Sequence, residues 1–174
     1  MQLSFSGIAV AALGAGLFPG AAQAQTLELT VNIPRLKVAE YHKPYVAVWL
    51  EKEGTTPRTI AVWYDQAKAN GEGTKWLRDV RQWWRAAGRT GKFPADAISG
   101  ATRAPGAHKL TFTGGRGAMP TLSPGRYKLY VEAARETGGR EPIALEFSWD
   151  GKTATSARAS GASELGLITL TLKR

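Results

Sequence analysis

The sequence predicts a mainly β protein: an antiparallel β-sandwich, immunoglobulin-like, carrying one amphipathic helix. Three observations lead to this class. Short runs alternate apolar and polar residues with a period of two. Turns rich in glycine and proline separate those runs. A single stretch changes to helical spacing, so one helix is added to a β framework and the chain does not alternate strand with helix.

The elements follow in order. "GIAVAALGAGLF" is an apolar core, and Ala22, Gln23 and Ala24 form an A-x-A pattern behind it. Residues 1–24 therefore read as a secretory signal cleaved between Ala24 and Gln25, and residues 25–174 as a single β-sandwich domain exported to the periplasm. No later stretch is long and apolar enough to span a membrane as a helix. "TLELTVNI" alternates strictly, with Leu27, Leu29, Val31 and Ile33 on one side, and Pro34 ends it. "PYVAVWL" is almost continuously apolar and reads as a strand buried on both faces. "TPRTIAVWY" follows across a turn, and the two predict a hairpin. In "TKWLRDVRQWWRAAG" the apolar residues Trp76, Leu77, Val80, Trp83, Trp84 and Ala87 recur at helical spacing. Thr74 is placed to cap that helix and Gly88 to end it. Lys75, Arg78, Arg81 and Arg85 then form its solvated face. "AHKLTFT", "GRYKLYVEAARE", "EPIALEFSW" and "LGLITLTLK" return to strand, giving six to eight in all. "GGRG" at 114–117 lacks the Gly-Lys-Ser/Thr ending and the following helix of a phosphate loop, so it is turn chemistry.

Composition narrows the function. With 23 Lys+Arg against 14 Asp+Glu, the formal net charge is +9, and such a surface attracts anions. The basic residues are spread along the chain and no recognition motif accompanies them, so nucleic acid is not the expected partner. There is no cysteine. That excludes thiol nucleophiles, thiolate metal sites and thioether-held haem. Redox chemistry here requires a cofactor held some other way.

The stretch "DAISGATRAPG", residues 96–106, contains nothing that belongs in a core. Its structural reading is a polar turn: Asp96 caps, Gly100 takes positive φ, and Pro105-Gly106 is a turn pair. That reading leaves the residue order unexplained, and an Asp-x-x-Ser/Thr-Gly-Ala-Ser/Thr pattern arises by chance in about one chain in a thousand. The order resembles the acceptor motif for covalent FMN in the flavin-carrying subunits of sodium-pumping NADH:quinone oxidoreductases and Rnf-type complexes. In those families a separate extracytoplasmic flavin transferase uses FAD to join FMN, through its phosphate, to the last hydroxyl residue. The resemblance implies Thr102 as acceptor, with Asp96, Ser99, Gly100 and Ala101 as recognition residues. A phosphoester needs the Thr102 hydroxyl, an approaching active site needs small neighbours, and the anionic phosphate finds Arg103 next in the chain. Arg89, Lys92 and Lys109 are close in sequence. The base and metal of the transfer belong to the transferase, so this chain reads as a carrier and not as the modifying enzyme.

A second resemblance runs through "AEYHKPYVAVWLE", "TIAVWYD", "KWLRDVRQWWR", "DAISGATRAPG" and "YVEAARETGGRE". Together they look like domain-of-unknown-function family 2271, predicted periplasmic proteins. The resemblance implies a flavin transferase and a PepSY-type or other membrane electron donor as partners. The competing expectation is a non-redox periplasmic binding or interaction domain. His42 and His108 lack the partners of a hydrolase site and the spacing of metal ligands, so each is expected to be structural or at the surface. Glu132 and Glu136, on a strand and its turn, carry no catalytic reading.

Overall fold

The computed structural model describes residues 24–174; the predicted signal, apart from Ala24, lies outside the described residues. Nine strands form two sheets: β1 Thr26–Ile33, β2 Tyr45–Glu51, β3 Arg58–Tyr64, β4 Ser99–Ala101, β5 Gly106–Thr113, β6 Gly125–Ala134, β7 Arg140–Trp149, β8 Thr155–Ser160 and β9 Leu167–Lys173. The four-stranded sheet runs β5-β1-β9-β8, and the five-stranded sheet runs β4-β3-β2-β6-β7. The expected β-sandwich is what forms. The alternation in β1 sets its register, because Leu27, Leu29, Val31 and Ile33 are all buried while the residues between them are exposed or half-buried. These residues meet Val46, Val48, Leu129, Val131 and Leu145 of the opposite sheet in one continuous core.

Two strands were not visible in the patterning. β8, "TSARAS", has only Ala157 and Ala159 to turn inward. β4 lies inside "DAISGAT" itself and pairs parallel to β3, with Ser99 opposite Val62, Gly100 opposite Trp63 and Ala101 opposite Tyr64. It is the one departure from antiparallel pairing among the described strands.

The predicted helix is broken into pieces. A run of 3-10 turns over Ala69–Asp79 contains Asn70 and Gly71 in left-handed conformation, a short α-helical turn covers Arg81–Trp83, and a π-helical turn covers Trp84–Gly88. Thr74 does not cap it; its hydroxyl donates to the Gly71 carbonyl at 2.7 Å. The cap comes from across the fold. Glu132 on β6 is fully buried, and its carboxylate accepts from the N–H groups of Gln82 at 3.1 Å and Trp83 at 2.7 Å. Arg140 Nη1 donates to the same group at 2.7 Å. Val80, with ψ 72°, interrupts the helix just before that acceptor and lets it restart there. Leu77, Val80 and Trp83 pack on Ala47, Trp49, Val62 and Tyr64, covering the outer face of the five-stranded sheet. Trp76 stays substantially exposed, whereas Lys75, Arg78, Arg81 and Arg85 are solvated as expected.

Candidate functional site

The two sheets meet differently on their two sides. On one side β7 and β8 lie against each other. On the other side β4 and β5 are the outer strands, and residues 102–105 cross between them. The candidate residues sit at this seam.

Each is placed by local bonding. Ahead of β4 the chain folds into a turn in which the Ile98 and Ser99 N–H groups donate to Ala95 O at 3.3 and 2.9 Å. The Ser99 hydroxyl accepts from Ala95 N at 2.9 Å. Serine, not Asp96, therefore closes the turn. Asp96 is exposed, and its carboxylate accepts no hydrogen bond from another described residue. Ala97 takes the left-handed conformation, φ 59°, at the tip. The backbone then joins β3: Val62 N donates to Ile98 O at 2.8 Å, and Thr102 N donates to Tyr64 O at 3.2 Å.

Gly100 is extended, which corrects the positive-φ expectation. Its need for a missing side chain comes from Trp63, because a Cβ at Gly100 would stand 3.2 Å from Trp63 Cδ1. Ala101 is exposed and Thr102 half-buried. The Thr102 hydroxyl has no hydrogen-bond partner among the described residues. Arg103 places its guanidinium 4.5 Å from the Trp63 ring centre. His108, on β5, meets the same indole edge-on at 5.8 Å, and its Nε2 lies 2.7 Å from Ala104 O.

The structure thus brings Ser99, Gly100, Ala101, Thr102 and Arg103 into one short stretch. Asp96 stands at the far end, separated from Thr102 by β4, about 10 Å of extended chain. Arg89, Lys92 and Lys109 are exposed. Trp63 is the participant that sequence reasoning missed: it lies within an apolar strand and shows no local sign of facing the loop. His42 belongs to another surface, with Glu40 at 3.1 Å and Glu136 at 3.8 Å. Among the described residues no three His, Asp or Glu side chains converge as a metal site.

Two cavities open away from the seam. One, of about 440 Å³, is lined by Tyr45, Trp76, Asp79, Arg81, Arg140 and the turn 134–139. Burial pushes the Tyr45 phenol above its ordinary value there, and Asp65, whose backbone and charge lie close by, modifies that effect. The other, of about 770 Å³, lies between the β2–β3 turn and the strands β6 and β7. Neither is lined by residues 96–103.

Fold and site together define a β-sandwich that presents a half-buried hydroxyl, that of Thr102, without a described hydrogen-bond partner where its two sheets join. A family model matches residues 26–167, and the chain belongs to that family, described as predicted periplasmic protein (DUF2271). No curated protein and no solved structure matches the chain. No described helix is long and apolar enough to cross a membrane.

Proposed function

We propose that this protein is an exported flavin carrier, with FMN attached covalently to Thr102 by a separate flavin transferase, serving electron transfer with a membrane reductase such as a PepSY-type protein. The observation that carries the reading is Thr102 itself. It ends an Asp-x-x-Ser-Gly-Ala-Thr motif, its backbone is anchored to Tyr64, and its hydroxyl is half-exposed and without a partner.

The residues present fit the group. The hydroxyl oxygen attacks the flavin-side phosphorus of FAD, the new P–O bond forms as the pyrophosphate linkage breaks, and AMP leaves. The hydroxyl proton passes to a base of the transferase, and no electron changes hands in the step. The product is a phosphodiester with one negative charge, beside the cation of Arg103. Attached FMN supplies one- and two-electron transfer. This chain supplies the attachment point and a rigid support.

A second reading, a non-redox periplasmic interaction domain, is favoured by one specific observation. β4 gives Ser99, Gly100 and Ala101 a structural purpose of their own, as turn closure, close approach to Trp63 and edge pairing. Asp96 and the Thr102 hydroxyl are the motif positions that this structural account leaves unexplained.

The test is co-expression and export of the chain with a flavin transferase, read by intact mass. The expected product is the mature chain plus one FMN less one water, with flavin fluorescence surviving denaturation. A chain that stays unmodified beside a transferase active on a known acceptor rejects the flavin reading and leaves the interaction domain.

A further inference from the structure

We propose that Arg103, whose guanidinium carbon lies over Trp63, is the clamp for the phosphodiester at Thr102, and that Trp63 and His108 are the residues that position it. This inference rests on the flavin reading and extends it to residues outside the acceptor motif.

The geometry supports it in three ways. First, Arg103 is held without being neutralised. Its guanidinium carbon lies over the indole, 4.5 Å from the ring centre, and no described carboxylate forms an ion pair with it. Its N–H groups make no hydrogen bond to a described residue, which leaves the planar fork free to receive two phosphate oxygens at once. Second, the backbone is fixed on both sides of Arg103. Thr102 N is bound to Tyr64 O before it, and His108 Nε2 donates to Ala104 O after it. The loop is thereby ordered before any ligand arrives, and ordering need not be supplied on binding. Third, the missing side chain at Gly100 leaves room for the Trp63 ring at the seam, where a Cβ would press on it at 3.2 Å. A lysine at position 103 would keep the charge and lose the fork.

The experiment uses the flavinylated full chain, loaded to completion, with the variants Arg103→Lys, Arg103→Gln and His108→Ala. Intact mass reports attachment, thermal melting reports folding, and the ³¹P resonance of the phosphodiester reports the clamp. All variants are expected to load and to melt like the parent. Loading of Arg103→Gln should still reach completion. Its ³¹P resonance should move to the position seen in the proteolysed flavin peptide. Arg103→Lys and His108→Ala should fall between that position and the parent's. An Arg103→Gln resonance unchanged from the parent overturns the clamp. So does complete failure of Arg103→Gln to load, since that makes Arg103 a contact of the transferase. A parent that never loads rejects the flavin reading itself, which is a separate result.

Discussion

Replacing Glu132 by glutamine should destabilise the fold by about 1.5–3 kcal/mol, although the side chain keeps its shape. The carboxylate is fully buried and receives three donors: Gln82 N at 3.1 Å, Trp83 N at 2.7 Å and Arg140 Nη1 at 2.7 Å. An amide has one acceptor oxygen where the carboxylate has two, and its NH₂ would face a donor. One charge-assisted bond lost inside the protein, here the bond that caps the helix, costs about 1.5–3 kcal/mol. The Arg140 side chain is 37% exposed and recovers water when its partner loses charge, so its share is discounted. The loss is a large part of a total stability of about 5–15 kcal/mol. For a domain of this size it corresponds to a melting temperature lower by about 3–12 °C. Urea unfolding and thermal melting followed by circular dichroism measure both quantities. A variant melting within about 2 °C of the parent would refute the argument that this distant carboxylate starts the helical turn at Arg81.

Three further outcomes are expected. Thr102→Ala should lose all covalent flavin by intact mass and melt within about 0.5 kcal/mol of the unlabelled parent, while Thr102→Ser retains labelling; flavin still bound to the alanine variant would place the attachment elsewhere. Gly100→Val should lose labelling and also about 1–3 kcal/mol in urea unfolding, because its added carbons press on Trp63; a fully stable variant would show that the seam has room to spare. Asp150 is held at about 2, below its ordinary 3.8, chiefly by the backbone N–H of Lys152 and by Thr153. Its contribution is therefore complete above pH 3.8 and lost as pH falls through about 2. Melting curves of the parent and Asp150→Ala should converge over that interval, and curves that stay parallel would count against the assignment.

What the sequence disclosed depended on the range of each interaction. β1 was legible because four apolar residues in strict alternation specify a face without any partner. The second and third strands were legible as apolar runs punctuated by turns, but their bounds were not: the runs at 44–50 and 56–64 became strands at 45–51 and 58–64. β4 was hidden, since three small residues carry no period, and its pairing with Val62–Tyr64 is long-range. The helix was legible as an apolar stripe but not as a broken segment, because its cap, Glu132, is supplied by a strand far along the chain. At the candidate site the residue order was visible, and so was the hydroxyl. The Trp63 support was not: an aromatic residue in an apolar run reads as core, and this one is both core and platform.

The place of β1 in its sheet has a consequence for how the protein is made. The first strand does not sit at an edge. It pairs with β5 on one side, Thr26 opposite Thr113, and with β9 on the other, Thr26 opposite Lys173. As the chain emerges from its N-terminal end, β1 waits for partners that appear only midway and at the last strand. The four-stranded sheet therefore assembles late, after nearly all of the chain is available, and closing it requires ordering long loops before contacts compensate for them. Such topology folds slowly and cooperatively, with the apolar face of β1 uncovered in the interval and exposed to mispairing or to a holding chaperone.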